Sequence, residues 1–363
     1  MCTTLLLRLV SLFHQLDYKM KKISDPRELK KYLNKISRVF DIDSILRQAI
    51  DTEYVVDYYQ QSDHGYRTFH SAEGSVHMSL NFDGVFNKDG YYEQASIVSK
   101  SINELSAKRV LELGSGKGFN SIVLAKHNPG VEFIGIDLVL LYVSQAQEKG
   151  KWLTNLRFQI GNFQALEFAS QTFDLLFEVE SICHAKDMKL ALSESYRVLK
   201  PGGRFILFDG FRKPGFEQLE ANLQIASKLA EVSMAVDHSW IIEEWIDVAR
   251  EVGFKEIEVR DISFAIMPNL TKFQILARGY FKYPRVARAV LRRISPHLIR
   301  NSIAGLLMPF TIEAGAQGYY IITLERARGS KKAWHGECVE QDQATYLHGG
   351  CHASSTNAGV RPE

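Results

Sequence analysis

"RVLELGSGKGFN", Arg109–Asn120, is the stretch on which the reading of the whole chain turns. A short apolar run, Val110–Leu113, meets the cluster Gly114-Ser115-Gly116-Lys117-Gly118, and an apolar stretch of helical character follows. Such a pattern predicts a buried strand, a tight turn and a helix. Glycine allows unusual torsions and close approach of a ligand to the backbone. The helix behind the turn aims free N–H groups at whatever carries negative charge. A turn of this kind can hold a dinucleotide, a nucleoside triphosphate or an adenosyl group, or it can be purely structural. The dinucleotide pattern G-x-G-x-x-G needs glycine at position 119, which is Phe119. The phosphate loop G-x-x-x-x-G-K-[ST] fails because Lys117 is followed by Gly118 and the glycine spacing is wrong. An adenosyl site and a structural turn remain.

Outward from this turn the chain alternates short apolar strands with helices. "RVLELG", "VEFIGID", "LRFQIG", "FDLLFEV" and "GRFILFDG" predict five strands, "EIEVRDIS" a sixth and "GYYIITLER" a last one. Strands rich in Val, Ile, Leu and Phe, separated by helices, imply a parallel sheet covered on both faces. The expected fold is therefore α/β, a doubly wound, mostly parallel seven-stranded sheet. Residues 1–24 read as a leader, and Met20 is an alternative start. Residues 25–90 read as an N-terminal helical cap, with helices at "PRELKKYLNKISRVF" and "DSILRQAIDTEYVVDYYQQ" and loops from Ser62 to Gly90. Asp25-Pro26 supplies an N-cap and first-turn pair. The core then runs 91–263, a helical lid or docking insertion 264–315, the last strand 316–327 and a disordered tail 328–363.

Composition narrows the functional classes. The chain has 363 residues, 45% hydrophobic and 24% charged, enough to bury a sizeable core. A net charge of +2 is too mild to imply nucleic-acid binding. Four cysteines, Cys2, Cys183, Cys338 and Cys351, are too few and too scattered for a disulfide framework, so a reducing compartment and a cytoplasmic location are expected.

The second and third strands add chemistry. "VEFIGID" ends in Asp137, whose carboxylate can accept hydrogen bonds from both hydroxyls of a ribose. The third strand ends "QIGNFQALEF", where Asn162 suits the exocyclic amine of an adenine and Phe163 the face of its ring, although Asn162 also suits an ordinary turn. Taken together, "LELGSGKG", "GID", the Asn162 turn, "FDLLFEVES" and "RVLKPGGRFILFDG" resemble the class I S-adenosylmethionine-dependent methyltransferases. The resemblance covers Tyr91 to Ser263 and the final strand. It implies a Rossmann-like sheet and S-adenosylmethionine as cofactor, with no metal. It places the cofactor against Tyr91, Tyr92, Glu112, Gly114, Ser115, Gly116, Gly118, Asp137, Leu138, Asn162, Phe163 and Glu178. Asn162 stands where the family often has Asp.

A finer resemblance lies in "FDLLFEVESICHAKDM" and "DGYYEQASIV". The spacing Glu180-x-x-x-His184 is similar to that of sterol and tocopherol methyltransferases, which implies that Glu180 and His184 border the acceptor as candidate catalytic residues. Tyr91 and Tyr92 would close over the methionine end of the cofactor, where aromatic faces stabilise a sulfonium by about 1 kcal/mol each. Glu180 also fits a helix cap, His184 a satisfied turn histidine, and Cys183 a small packing residue.

"FKYPRVARAVLRRISPHLIRNSIAGLLMPF" is basic and apolar by turns. Arg285, Arg288 and Arg292 share one helical face, and Val286, Val290 and Ile294 another. It reads as a lid over a greasy pocket, as a peripheral membrane contact through 281–300, or as a packed helix with a solvated basic face. In the tail, His335, Cys338, His348 and Cys351 fit no zinc spacing. The expected partner is a small, lipophilic acceptor of isoprenoid, sterol-like or quinone/phenol-like chemistry. The alternatives are a polar N- or O-methylated metabolite, and a protein that binds the cofactor without catalysis.

Overall fold

The computed structural model describes residues 22–71, 73–291 and 295–328. Most of the expected leader, Arg292, Ile294 and the tail histidines and cysteines lie outside the described residues, as does the Val290 side chain.

The N-terminal cap begins with α1 (Pro26–Ser37), whose first turn is closed by the Asp25 carboxylate accepting from the Arg27 amide. The second expected helix is in fact two, α2 (Ile42–Leu46) and α3 (Thr52–Gly65). The break falls where Ile50 turns inward as a buried residue and Asp51 caps the next helix by accepting from the Tyr54 amide at 2.8 Å. Nor does helical structure stop at Ser62. It continues through Gly65 into a wide π-helical turn, Tyr66–His70, whose aromatic side chains pack inward. A 3-10 turn at Lys88–Tyr92 leads into α4 (Glu93–Leu105).

The sheet comprises β1 (Arg109–Leu113), β2 (Glu132–Asp137), β3 (Leu156–Ile160), β4 (Phe173–Val179), β5 (Leu199–Arg212), β6 (Phe254–Asp261) and β7 (Gln317–Arg326). Its order is β3-β2-β1-β4-β5-β7-β6. The first five strands are parallel; β7 runs antiparallel between β5 and β6. Intervening helices are α5 (Phe119–His127), α6 (Leu140–Gly150), α7 (Met188–Val198), α8 (Ala221–Ser233) and α9 (Ile242–Val252).

Side chains alternate across a strand, so the apolar runs feed two cores. Leu111, Leu113, Ile134, Ile136, Phe205 and Leu207 face α7 and α9, with Trp245 wholly buried among them. Val110, Phe133, Leu175, Phe177, Ile206 and Phe208 face α4, α5 and the start of α10 (Ser263–Phe281). The insertion continues as α11 (Pro284–Leu291) and α12 (Pro296–Glu313). A third core joins it to the N-terminal cap and α8 through Leu29, Leu33, Ile36, Leu229, Phe281, Leu306 and Phe310. Cap and insertion thus form one helical layer over the sheet.

Candidate active site

The order β3-β2-β1-β4 reverses direction of winding between β1 and β4, and open parallel sheets bind ligands at the carboxyl ends beside such a switch. A cavity of about 820 Å3, open to solvent, lies there. Gly114, Gly116, Asp137, Leu138, Asn162, Phe163, Glu180 and His184 all line it.

Gly114 has φ +66° and Gly116 φ +52°, in the left-handed region that glycine adopts freely. A Cβ on Gly114 would fall 2.3 Å from Ser181 Cβ, so its reason is close packing of β1 against the β4 turn. A Cβ on Gly116 would have only Val76 nearby, at 3.3 Å, and would otherwise project into the cavity. The Asp137 carboxylate tethers the turn: Oδ2 accepts from the Gly116 amide and Oδ1 from the Val139 amide, both at 2.8 Å. Burial raises its pKa above the ordinary carboxylate range. Phe119, which breaks the dinucleotide pattern, packs against Tyr92 at 5.0 Å between ring centroids. Lys117 is buried, paired with Asp63 of α3 at 2.6 Å and set over the Tyr142 ring. It therefore ties the turn to the cap and serves no phosphate loop.

Other expected contacts stand behind the wall. Glu112 turns under the glycine loop, where its carboxylate accepts from Ser121 Oγ and from Asn120 Nδ2. Burial raises its pKa to about 8. Glu178 accepts from the Ser181 amide at 2.8 Å and hydroxyl at 3.0 Å and from the Ile182 amide at 3.2 Å, and so closes the turn after β4. The Gly118 position meets Phe158 and Ala146. Ser115 lies in the loop with its hydroxyl buried and unpartnered among the described residues. Tyr91 is buried and donates to the His70 carbonyl at 3.0 Å, and Tyr92, more exposed, bonds Glu73. Neither tyrosine lines the cavity, because both hydroxyls are drawn to the 70–73 segment instead. Its roof is built from residues that sequence reasoning missed: Thr52, Val55, Val56 and Tyr59 of α3, with Val76 and Tyr142.

Glu180 is the one non-glycine residue of the cavity lining in the left-handed region, with φ +55°. That conformation costs on the order of 1–3 kcal/mol and is held by its surroundings. Its amide donates to the Phe208 carbonyl at 2.8 Å. Its Oε1 accepts from the Met78 amide at 2.7 Å and from the Tyr319 hydroxyl at 2.8 Å. Burial nevertheless dominates and raises its pKa to about 8.

His184 Nδ1 lies 3.0 Å from the Ala235 carbonyl, which can only accept, so Nδ1 carries the proton. Nε2 is then the acceptor for the Tyr59 hydroxyl at 2.9 Å. Burial lowers the His184 pKa to about 4 and raises that of Tyr59 well above its ordinary value, so both are neutral at physiological pH. Burial likewise pushes the Cys183 thiol up, with the neighbouring Asp209 adding to it.

A second, larger cavity, about 1490 Å3 with its open mouth, lies between α3, the π turn and the insertion. Its walls are apolar almost throughout: Phe69, Met78, Leu270, Phe273, Leu276, Tyr280, Ala304 and Met308 among others. The two cavities share no lining residue. Contacts between lining residues bring them together. Tyr66 of the larger cavity stacks on Tyr59 of the smaller at 6.1 Å, and Met78 of the larger bonds Glu180 of the smaller.

Comparison with known proteins bears on the fold and the chemistry. Residues 104–272 match the family described as "Methyltransferase domain". Over that stretch the chain is similar to methyltransferases, sterol methyltransferases among them, and S-adenosylmethionine is the cofactor. It is 28% identical over 267 residues to an S-adenosyl-L-methionine-dependent Diels-Alderase, iccD, of Talaromyces variabilis, covering 66% of this chain and 84% of that one. It is 24% identical over 260 residues to 24-methylenesterol C-methyltransferase 2 of Oryza sativa subsp. japonica, covering 65% of this chain and 70% of that one. Among solved structures, the [4+2]-cyclase SpnF shares the fold at a TM-score of 0.61 and 18% identity, over 77% of this chain and 98% of that one.

The lining fits such a cofactor. Bare backbone at Gly116, a carboxylate at Asp137 and an amide beside a ring at Asn162 and Phe163 all line the cavity. Asp137→Ala is expected to weaken S-adenosylmethionine binding by about 1–3 kcal/mol, since hydrogen bonds to a charged acceptor are lost. Calorimetric titration of the folded variant checks this, and an unchanged Kd would remove Asp137 from the ribose site.

Proposed function

We propose that the protein transfers the methyl group of S-adenosylmethionine to a small lipophilic acceptor of isoprenoid, sterol-like or quinone/phenol-like chemistry. The observation that carries this reading is the apolar cavity under the insertion, whose lining touches that of the cofactor cavity at Tyr59–Tyr66 and Met78–Glu180. The relatives named for sterol carbon methylation support the same acceptor class. When bound, the cofactor supplies an electrophilic methyl group on a positively charged sulfur. The acceptor gains that methyl and loses one proton, and the sulfur is left as a neutral thioether. Glu180 takes the proton. Its pKa of about 8 makes it a capable base near neutrality, and the Met78 amide and Tyr319 hydroxyl stabilise its ionised form. Tyr59, held by His184, fixes the aromatic wall against which the acceptor aligns. Alignment alone can supply roughly 7–11 kcal/mol of barrier lowering.

Filling the larger cavity tests the acceptor assignment. Ala304→Phe is expected to lower kcat/KM for the acceptor by about tenfold or more, since roughly 1–3 kcal/mol attends misfit of a few carbon atoms. The Kd for S-adenosylmethionine should stay as it was. An Ala304→Phe enzyme with undiminished kcat/KM would place the acceptor elsewhere.

A second reading is favoured by the absence of any shared lining residue: a ring-forming reaction in the larger cavity, with the cofactor bound but its methyl group unspent. The relative named as a Diels-Alderase supports it. Product mass decides between them, one methyl heavier than substrate for transfer and unchanged for cyclisation.

A further inference from the structure

The larger cavity opens at the corner between α10 and α11. Tyr283 and Val286 line it and are yet 55% and 54% exposed, so they form its rim. Ala287 is buried, and the Tyr280 hydroxyl donates to its carbonyl at 3.0 Å. That anchor turns Arg285, Val286 and Arg288 to solvent. Lys282 is exposed as well, with its ammonium over the Tyr283 ring. None of these three cations is in an ion pair among the described residues. The sequence from 281 to 300 adds Arg292, Arg293 and Arg300 and contains no Asp or Glu. Apolar rim and unpaired cations thus coincide at the mouth of a cavity built for a greasy molecule.

We infer that this rim docks on an anionic lipid bilayer. Tyr283 and Val286 enter the headgroup region, and Lys282, Arg285 and Arg288 meet the acidic headgroups. No helix among the described residues is long and apolar enough to cross a membrane, so the contact is peripheral. A second copy of the chain would bring like charge against like, which disfavours self-association through this face. Docking lets a lipophilic acceptor pass from bilayer to cavity without crossing water; that last step rests on the function proposed above, and the docking itself does not.

Sedimentation of the full chain with vesicles, without cofactor or acceptor, tests the docking. The expected result is strong partition onto phosphatidylcholine vesicles containing phosphatidylserine, weak partition onto phosphatidylcholine alone, and release by high salt. Arg285→Gln with Arg288→Gln should lower partition onto the anionic vesicles about 30-fold, roughly a factor of five per charge. Tyr283→Ser with Val286→Ser should lower it too, with the salt dependence kept. Equal partition onto both vesicle types overturns the inference, as does an unchanged partition of the double Gln variant with a wild-type melting temperature. If vesicles bind as expected but no methyl group is ever transferred, docking stands and the proposed reaction falls.

Discussion

Glu180→Gln lowers kcat by about 100-fold or more, the usual loss for an acid–base group, and leaves the affinity for S-adenosylmethionine as it was. The carboxylate takes the proton that the acceptor sheds, and an amide cannot. The pH profile carries the sign. Below a pKa of about 8 the ionised fraction of the buried carboxyl, which alone acts as the base, falls with each pH unit. Wild-type kcat should therefore rise about tenfold per pH unit up to that point and level off above it. His184, with its pKa lowered to about 4, adds no inflection in this range. Stability runs the other way. Because the folded pKa is raised, ionisation opposes folding increasingly as pH climbs toward 8, and Gln is spared that cost. The variant should thus be at least as stable as wild type in alkali, which separates a lost base from a lost fold. Retained turnover in Glu180→Gln would assign the proton to another group.

Gly116→Val abolishes detectable S-adenosylmethionine binding while the sheet still forms. Two effects combine. The position has φ +52°, which a β-branched residue adopts only at a cost of order 1–3 kcal/mol. Beyond Val76, nothing fills the space its side chain would enter, so the new methyl groups occupy the cavity instead of clashing with the core. Gly114 would not serve as well, because a side chain there strikes Ser181 and disrupts the β4 turn itself. Calorimetry beside a circular-dichroism melt reads both outcomes. Binding retained in a folded Gly116→Val protein would contradict an adenosyl group at this turn.

The sheet was legible because its central strands are buried on both faces and read as short, mainly apolar runs, as "FDLLFEV" does around Asp174 and Glu178. Asp137, Asn162 and Glu180 were legible for a related reason: each stands where a strand ends, and strand ends meet at one edge of a parallel sheet. What was not legible depends on long-range packing. Tyr59 sits in "YVVDYYQQ" as one more apolar position on a helix, and only the fold brings its hydroxyl to His184. Tyr319 reaches Glu180 because β7 enters antiparallel beside β5, a register no local pattern encodes. The break between α2 and α3 carries no glycine or proline; it is enforced by burial of Ile50 and by the Asp51 cap. That the Glu112 and Glu178 carboxylates support the glycine loop and the β4 turn is visible only in the fold, through their bonds to Ser121 and Ser181.

In the proposed reaction a methyl group passes from S-adenosylmethionine to a molecule held in the apolar cavity. The direct measurement is incubation of the full chain with methyl-labelled S-adenosylmethionine and a cell lipid extract, followed by mass spectrometry of the organic and aqueous phases. Label is expected in a product that partitions into the organic phase, one methyl heavier than its precursor, and lost in Glu180→Gln. Label confined to water-soluble products, or a product of unchanged mass formed without label, would contradict it.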